Sequence, residues 1–250
     1  MQFCDRGFTD RIVQYFDDQA EQWNAEHGPD SPRASDFLAC VDYLARLCRE
    51  LDRPRVLDVG CASGQHLLHL APEIRAGVGV DVASRMIERA RAAAGRHGAF
   101  GHLRFQFGDA RTLAREALGR FDLALFVGVL EHVPDRLGAL RAAADLLDAG
   151  GRLVVVMPNP QQPACPLGPL RRRRPVPIFT SDRHYTVREL AAEGRRAKLA
   201  AERVDAVSAA GPFGRGDDEA SARAAAAGVP VTATWDTFAM RFRRADDGRA

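Results

Sequence analysis

Lysine is all but missing: Lys198 is the only one in 250 residues, and arginine supplies the rest of the positive charge. We read this as a compositional bias of the coding sequence. Cysteine is sparse and unpaired by pattern, with Cys4, Cys40, Cys48, Cys61 and Cys165 odd in number and free of any C-x-x-C step. That excludes a disulfide framework and a zinc ribbon and suits a reducing compartment. Excess charge is lacking too, the formal net charge being +2. A near-neutral chain carries no footprint for a polyanion, which argues against nucleic acid as a partner. No apolar run approaches the length of a membrane span, and the opening MQFCDRGFTDR has no apolar segment of the kind a secretory leader needs. A soluble, cytoplasmic protein without internal repeats is therefore expected.

What the chain does have is apolar material, 46% of its residues, enough for one sizeable core. The stretch Arg55–Leu70, RVLDVGCASGQHLLHL, organises it. Val56, Leu57 and Val59 form a short β-type run with Asp58 inside it. Gly60 and Gly64 bracket the small residues Cys61, Ala62 and Ser63, and Leu67, Leu68 and Leu70 then follow helical spacing. A strand entering a helix through small residues lets a ligand approach bare backbone N–H groups at the positive end of a helix. The spacing is neither the dinucleotide fingerprint G-x-G-x-x-G nor the phosphate loop G-x-x-x-x-G-K-S/T.

Strand and helix then alternate. Ala76–Asp81 reads as a second strand ending in an acid, about twenty residues past the glycine turn, where nucleotide-binding α/β units place a carboxylate on ribose hydroxyls. A helix capped by Ser84 follows, with Met86, Ile87 and Ala90 on one face. Leu103–Phe107 is the third strand, before Gly108–Asp109–Ala110. Phe121–Val127 is the fourth, running into Gly128–Asp135, with Pro134 and Asp135 opening a helix to Leu147. Asp148–Gly151 turns into the fifth strand, Arg152–Met157. Five such alternations predict a parallel, doubly wound α/β sheet whose right-handed crossovers bring Asp58, Gly60, Asp81, Asp109 and His132 to one carboxyl edge.

The flanks are less regular. Asp10–Trp23, with Thr9 as N-cap, and Ala34–Leu51 carry amphipathic helical stripes separated by a His27–Pro32 loop. Pro158–Asp182 is a long proline- and arginine-rich loop holding the run Arg171–Arg174, which could bind phosphate or nucleic acid but which we read first as a solvated segment. Asp182–Tyr185 leads to a helix opened by a Thr186–Glu189 capping box. Arg203–Ser208 and Thr232–Arg243 are strands six and seven, the latter with Trp235 near its start and Phe238, Met240 and Phe242 alternating. Between them lies an insert, Gly211–Pro230, with a short helix near Asp217–Ala227. The tail 245–250 is expected to be disordered.

The order D-x-G-x-A-x-G at Asp58–Gly64 resembles motif I of the class I S-adenosylmethionine-dependent methyltransferases, with Ala62 in place of the middle glycine. Gly108–Asp109–Ala110 matches the family's acid step after strand three. Glu131–His132–Val133 after strand four resembles the UbiG/UbiE-like small-molecule branch. The resemblance is dense from Arg55 to Met157 and loose outside it. It implies a Rossmann-like, seven-stranded sheet with antiparallel strand 7, preceded by an N-terminal helical lid over residues 1–52; the methyltransferase domain would span 53–244. It implies S-adenosyl-L-methionine as cofactor, leaving as S-adenosyl-L-homocysteine. Gly60 and Gly64 would hold its methionine side, Asp58 supporting either the turn or the cofactor's amino group. Asp81 would take the ribose and Asp109 with Ala110 the adenine, with Met86 packing on an adenine face or equally in the core; Cys61, Ala62, Val82 and Val127 are further cofactor-binding candidates.

Tyr15, Phe16, Trp23 and His27 become candidate acceptor-pocket walls, each of them equally able to serve as lid packing. His132 is the first candidate base, because it would stand beside the methyl group and histidine titrates near neutrality. A role in shaping the loop weighs about the same. His184 and Tyr185 are second candidates, in an H-Y-T step that borders the acceptor pocket in this branch, and His27 is a third. No carboxylate set for a metal is evident. The expected reaction is O-methylation of a phenol, quinol or natural-product intermediate by a monomer or homodimer. N- or C-methylation, an RNA or protein acceptor, and a non-catalytic binding module are the alternatives.

Overall fold

The structure, a computed structural model, describes residues 6–32, 34–96, 101–113, 118–158, 185–207 and 237–245. Seven strands form one sheet: β1 (Arg55–Val59), β2 (Ala76–Asp81), β3 (Leu103–Phe107), β4 (Phe121–Val127), β5 (Leu147–Pro158), β6 (Leu199–Ala206) and β7 (Thr237–Arg244). Their order is β3-β2-β1-β4-β5-β7-β6, with β7 antiparallel to both neighbours. In the central pairings, Leu57 of β1 stands opposite Val78 of β2 on one side and Ala124 of β4 on the other. Strand order reverses between β1 and β4, so their carboxyl ends splay into a crevice.

Helices cover both faces, which is why the central strands are nearly all apolar. On one face Val56, Leu123 and Val154 pack with α3 (Ala34–Glu50), α4 (Gln65–Leu70) and α5 (Ser84–Arg96). On the other, Leu57, Ala124, Phe126 and Phe242 pack with α6 (Arg136–Asp145) and α7 (Val187–Arg196). Ahead of α3 stand α1 (Arg6–Gln19) and α2 (Trp23–His27). Phe238, Met240 and Phe242 alternate as expected and are buried.

Several boundaries differ from the sequence reading. The first helix begins at Arg6, so Thr9 lies within it rather than capping it. It ends at Gln19, and Trp23 opens a separate helix; the break lets Ala20 bury itself against Ala83 and Met86. Asp135 is the N-cap of α6, accepting from the Gly138 N–H at 2.9 Å, which starts that helix at Arg136. The fifth strand starts at Leu147, not Arg152. Leu147 pairs with Phe121, Asp148–Gly151 forms a bulge with Gly150 at φ +78°, and regular pairing resumes at Leu123 and Arg152. Strand six runs from Leu199 to Ala206, four residues earlier than expected at its start. The capping box is present, the Thr186 hydroxyl accepting from the Glu189 N–H while Glu189 accepts from the Thr186 N–H. The 159–182 loop with Arg171–Arg174, the 211–230 insert, Trp235 and residues 246–250 lie outside the described residues.

A polar tie binds α3 to the β6–β7 pair. The Tyr43 hydroxyl donates to Asp205 at 2.9 Å, and Arg241 donates to the Tyr43 oxygen at 2.8 Å and to Glu50 at 2.9 Å. Burial, reinforced by Asp205, pushes the Tyr43 phenol above its ordinary range, so it stays protonated and donating. Tyr43→Phe keeps the ring but leaves Asp205 and Arg241 short of a partner. We expect a loss of about 1–2 kcal/mol in urea unfolding, with an unchanged denaturant slope.

Candidate active site

The crevice at the carboxyl edge holds a cleft of about 460 Å³, within the usual range for small-molecule sites. Its floor is the turn from β1 into α4. Gly60, Ala62 and Gly64 all adopt positive φ, at +73°, +45° and +79°. A Cβ on Gly60 would sit 2.2 Å from the Val129 Cγ2, so this glycine lets the loop after β4 close onto the turn.

One expectation needs correction: the turn's N–H groups are largely spent internally. Those of Gly60 and Cys61 donate to the Val80 carbonyl, that of Ala62 to Asp81, and that of Gly64 to the Cys61 carbonyl. The turn therefore offers a ligand close approach rather than a row of donors. Ala62 holds the left-handed conformation at a cost glycine would not bear. Ala62→Gly is expected to raise stability by about 0.5–1 kcal/mol in urea unfolding, once the added freedom of the unfolded chain is subtracted.

Three carboxylates surround this floor in different states. Asp81 accepts from the Ala62 N–H at 2.8 Å through Oδ2 and from the Ala83 N–H at 2.9 Å through Oδ1. Burial pushes its pKa up, against the pull of those backbone N–H groups. Asp58 is 1% exposed, and its Oδ2 has no hydrogen-bond partner among the described residues. Burial, then the neighbouring Asp81 charge, pushes it up to about 7. Asp109 closes the far end. Burial raises its pKa, but the Arg111 guanidinium and backbone N–H outweigh that and hold it below the ordinary carboxylate range.

The N-terminal helices lie across the cleft. Ser63 Oγ donates to Asn24 Oδ1, pinning α2 to the turn, and Asp17 accepts from the Arg85 N–H at 2.9 Å at the start of α5. Phe16 stands edge-on to Trp23 and to His132, with ring centroids 5.7 Å apart in each pair, and Trp23 stacks on His27 at 4.1 Å. Phe16, Trp23, His27 and His132 all line the cleft, as do Gly60, Cys61, Ala62, Asp81, Val82, Met86, Asp109, Ala110 and Val127. Asp58 and Gly64 lie just behind the lining, Gly64 packing toward Phe105. Tyr15 packs edge-on against Phe16 away from the cleft. Tyr185 is buried in the core beneath the Arg136 guanidinium, 5.8 Å from it, and is not part of the wall. His184 lies outside the described residues.

Sequence reasoning missed a second wing of the wall. Asp36, Phe37 and Cys40 from the start of α3 and Gln65 and His66 from α4 line it, with Met157 and Thr237 from β5 and β7. The His66 ring lies 5.3 Å from that of Phe37. Burial, then His69, pushes its imidazole down to about 4, so it is neutral at physiological pH. Phe37 and Cys40 belong to an amphipathic stripe that reads as ordinary core. His66, two residues past Gly64 at a helix start, was the legible signal.

The residues present fit S-adenosyl-L-methionine. Asp81 retains acceptor capacity at the cleft for hydroxyl donors, the small residues Gly60, Cys61, Ala62 and Ser63 line its floor, and the unmatched Asp58 oxygen lies just behind them. Among the described residues no helix is long and apolar enough to cross a membrane, and no group of three His, Cys, Asp or Glu side chains could hold a metal ion.

Residues 33–202 match the model of the methyltransferase domain family, and the chain belongs to that family. A ubiquinone biosynthesis O-methyltransferase of Xanthomonas oryzae pv. oryzae is 34% identical over 140 residues, covering 54% of this chain and 55% of the relative. The chain thus matches about half the length of that relative. Magnesium protoporphyrin IX methyltransferase of Synechocystis PCC 6803, solved with S-adenosylmethionine bound, superposes with a TM-score of 0.65 at 14% identity, covering 98% of this chain and 100% of that one. The cyclase SpnF superposes at 0.57 with 24% identity, covering 82% and 81%. Both show a shared Rossmann-like fold. That one of them is a cyclase illustrates that the fold alone names no reaction.

Proposed function

We propose that this protein is an S-adenosyl-L-methionine-dependent methyltransferase that methylates a hydroxyl of a small molecule, such as a phenol, quinol or natural-product intermediate. The observation that carries this reading is a single cleft joining two wings. One holds the glycine turn, Asp81 and Asp109; the other is aromatic and apolar, under an N-terminal helical roof. Bound there, S-adenosyl-L-methionine supplies a sulfonium methyl to an acceptor oxygen and leaves as S-adenosyl-L-homocysteine. The O-methyltransferase name of the Xanthomonas relative supports an oxygen acceptor.

The chain's part is mostly alignment and exclusion of water. Asp81 fixes the ribose hydroxyls, and the Gly60–Gly64 turn admits the methionine chain. Phe16 and Trp23, on the lid formed by residues 1–52, shield the reacting atoms. His132, held edge-on by Phe16 at the end of the loop after β4, takes the acceptor's proton. The cleft serves a monomer or a homodimer alike, and the free cysteines Cys40, Cys48 and Cys61 suit a reducing cytoplasm.

The test is transfer of labelled methyl groups from S-adenosyl-L-methionine to a panel of phenols, quinols and amines. We expect a hydroxyl acceptor, and a loss of about 100-fold or more in kcat for His132→Ala with cofactor affinity unchanged. A variant with full kcat would make His132 a loop-shaping residue. Transfer to amines alone would overturn the oxygen assignment.

A further inference from the structure

The aromatic and apolar wing of the cleft carries three polar side chains that methyl transfer itself does not use. Asp36 stands in the first turn of α3, and Gln65 and His66 open α4, two helices packed in one cluster beneath the cleft. Among the described residues none of these three side chains has a hydrogen bond or an ion pair. Elsewhere in the lining, Asp81 accepts from two backbone N–H groups and Arg111 is bound to Asp109. Arg111 is also the only arginine or lysine among the described lining residues, set against Asp36, Asp81, Asp109 and Glu131. A cleft of that charge draws cations and repels anions. Position separates this wing from the proposed cofactor residues. The glycine turn, Asp81 and Asp109 follow β1, β2 and β3, whereas Met157 of β5 and Thr237 of β7 complete the wing on the other side of β4.

We propose that this wing receives a protonated primary amine carried by the acceptor, remote from the hydroxyl that is methylated, with Asp36 as its counter-ion and Gln65 and His66 as further hydrogen-bond acceptors. This rests on the methyltransferase reading above. An ammonium group has three donors and no acceptor. Asp36 supplies a carboxylate, Gln65 an amide oxygen and His66 an unprotonated ring nitrogen. Burial keeps the His66 imidazole neutral, so it accepts without adding a competing positive charge. Phe37, against which the His66 ring lies, gives the acceptor's carbon skeleton an apolar wall together with Cys40 and Met157. Protonation also directs the reaction. An amine held as ammonium has no lone pair to attack the sulfonium methyl, so transfer goes to the oxygen facing His132.

Calorimetry on the full chain saturated with S-adenosyl-L-homocysteine tests this with tyramine, 4-ethylphenol and 4-hydroxyphenylacetate, which share a phenol ring and carry a cation, no charge and an anion. Tyramine is expected to bind about 10-fold or more tighter than 4-ethylphenol, and the anion most weakly. Asp36→Asn should bring the three within about 3-fold of one another, and Asp36→Lys should reverse their order. Asp36 is exposed in a first helical turn, so both variants are expected to fold, with S-adenosyl-L-homocysteine affinity within about 3-fold of wild type. Equal binding of the three phenols by wild type, binding of none, or a tyramine preference that survives Asp36→Asn overturns the inference and leaves the methyltransferase reading intact. So does a loss of about 10-fold or more in S-adenosyl-L-homocysteine affinity in Asp36→Asn, which would place the cofactor's own ammonium in this wing. No binding of S-adenosyl-L-homocysteine by wild type overturns both.

Discussion

Asp81→Ala is expected to weaken S-adenosyl-L-methionine binding by about 100-fold or more and to cost about 2–3 kcal/mol of stability. The two losses share one cause. The Asp81 carboxylate joins the turn before α4 to the start of α5 by accepting from the Ala62 and Ala83 N–H groups. Truncation strands both donors and removes the proposed ribose acceptor together. Asp81→Asn separates the effects, because the amide keeps one acceptor oxygen for the backbone but replaces the other with a donor. It should recover part of the stability and little of the affinity. Urea unfolding and calorimetry on the two variants provide the readouts, and binding within about 3-fold of wild type in both would remove Asp81 from the cofactor site.

Gly60→Ala is expected to destabilise the fold by about 2–4 kcal/mol. Its Cβ would lie 2.2 Å from Val129 Cγ2 and 2.7 Å from Val129 Cβ, on a residue whose φ is +73°. The clash pushes on the segment carrying Glu131 and His132, so methyl transfer should fall more than cofactor affinity. In the double variant Gly60→Ala/Val129→Ala the part of the steric cost due to the two Cγ atoms should be recovered, while the Cβ contact at 2.7 Å and the backbone part remain, giving a non-additive cycle. Additive effects would mean that the two residues do not press on each other.

The sheet was legible in the sequence because its strands are short apolar runs closed by punctuation: β2, β3 and β4 fall on the boundaries that Asp81, Gly108 and Gly128 mark. The bulge at Asp148–Gly151 was not, since D-A-G-G reads as a turn whether the chain leaves the sheet or stays in it. The break between α1 and α2 was hidden for a related reason. Ala20 fits a helical stripe, and only its burial against Ala83 and Met86 shows why the helix stops. At the site, Asp81 and His132 stood out by position after a strand. The ion pair of Asp109 with Arg111 depends on a two-residue fold-back that spacing does not reveal. Ala62 was legible as a substitution, but its positive φ, and hence its cost, came only from the backbone.

The central claim is that this cleft binds S-adenosyl-L-methionine, and titration of the full chain with that compound in a calorimeter tests it most directly. The account predicts one site per chain with a dissociation constant of about 1–100 μM, in the range enzymes use for their substrates. Absence of heat up to millimolar ligand, for both S-adenosyl-L-methionine and S-adenosyl-L-homocysteine, would contradict it.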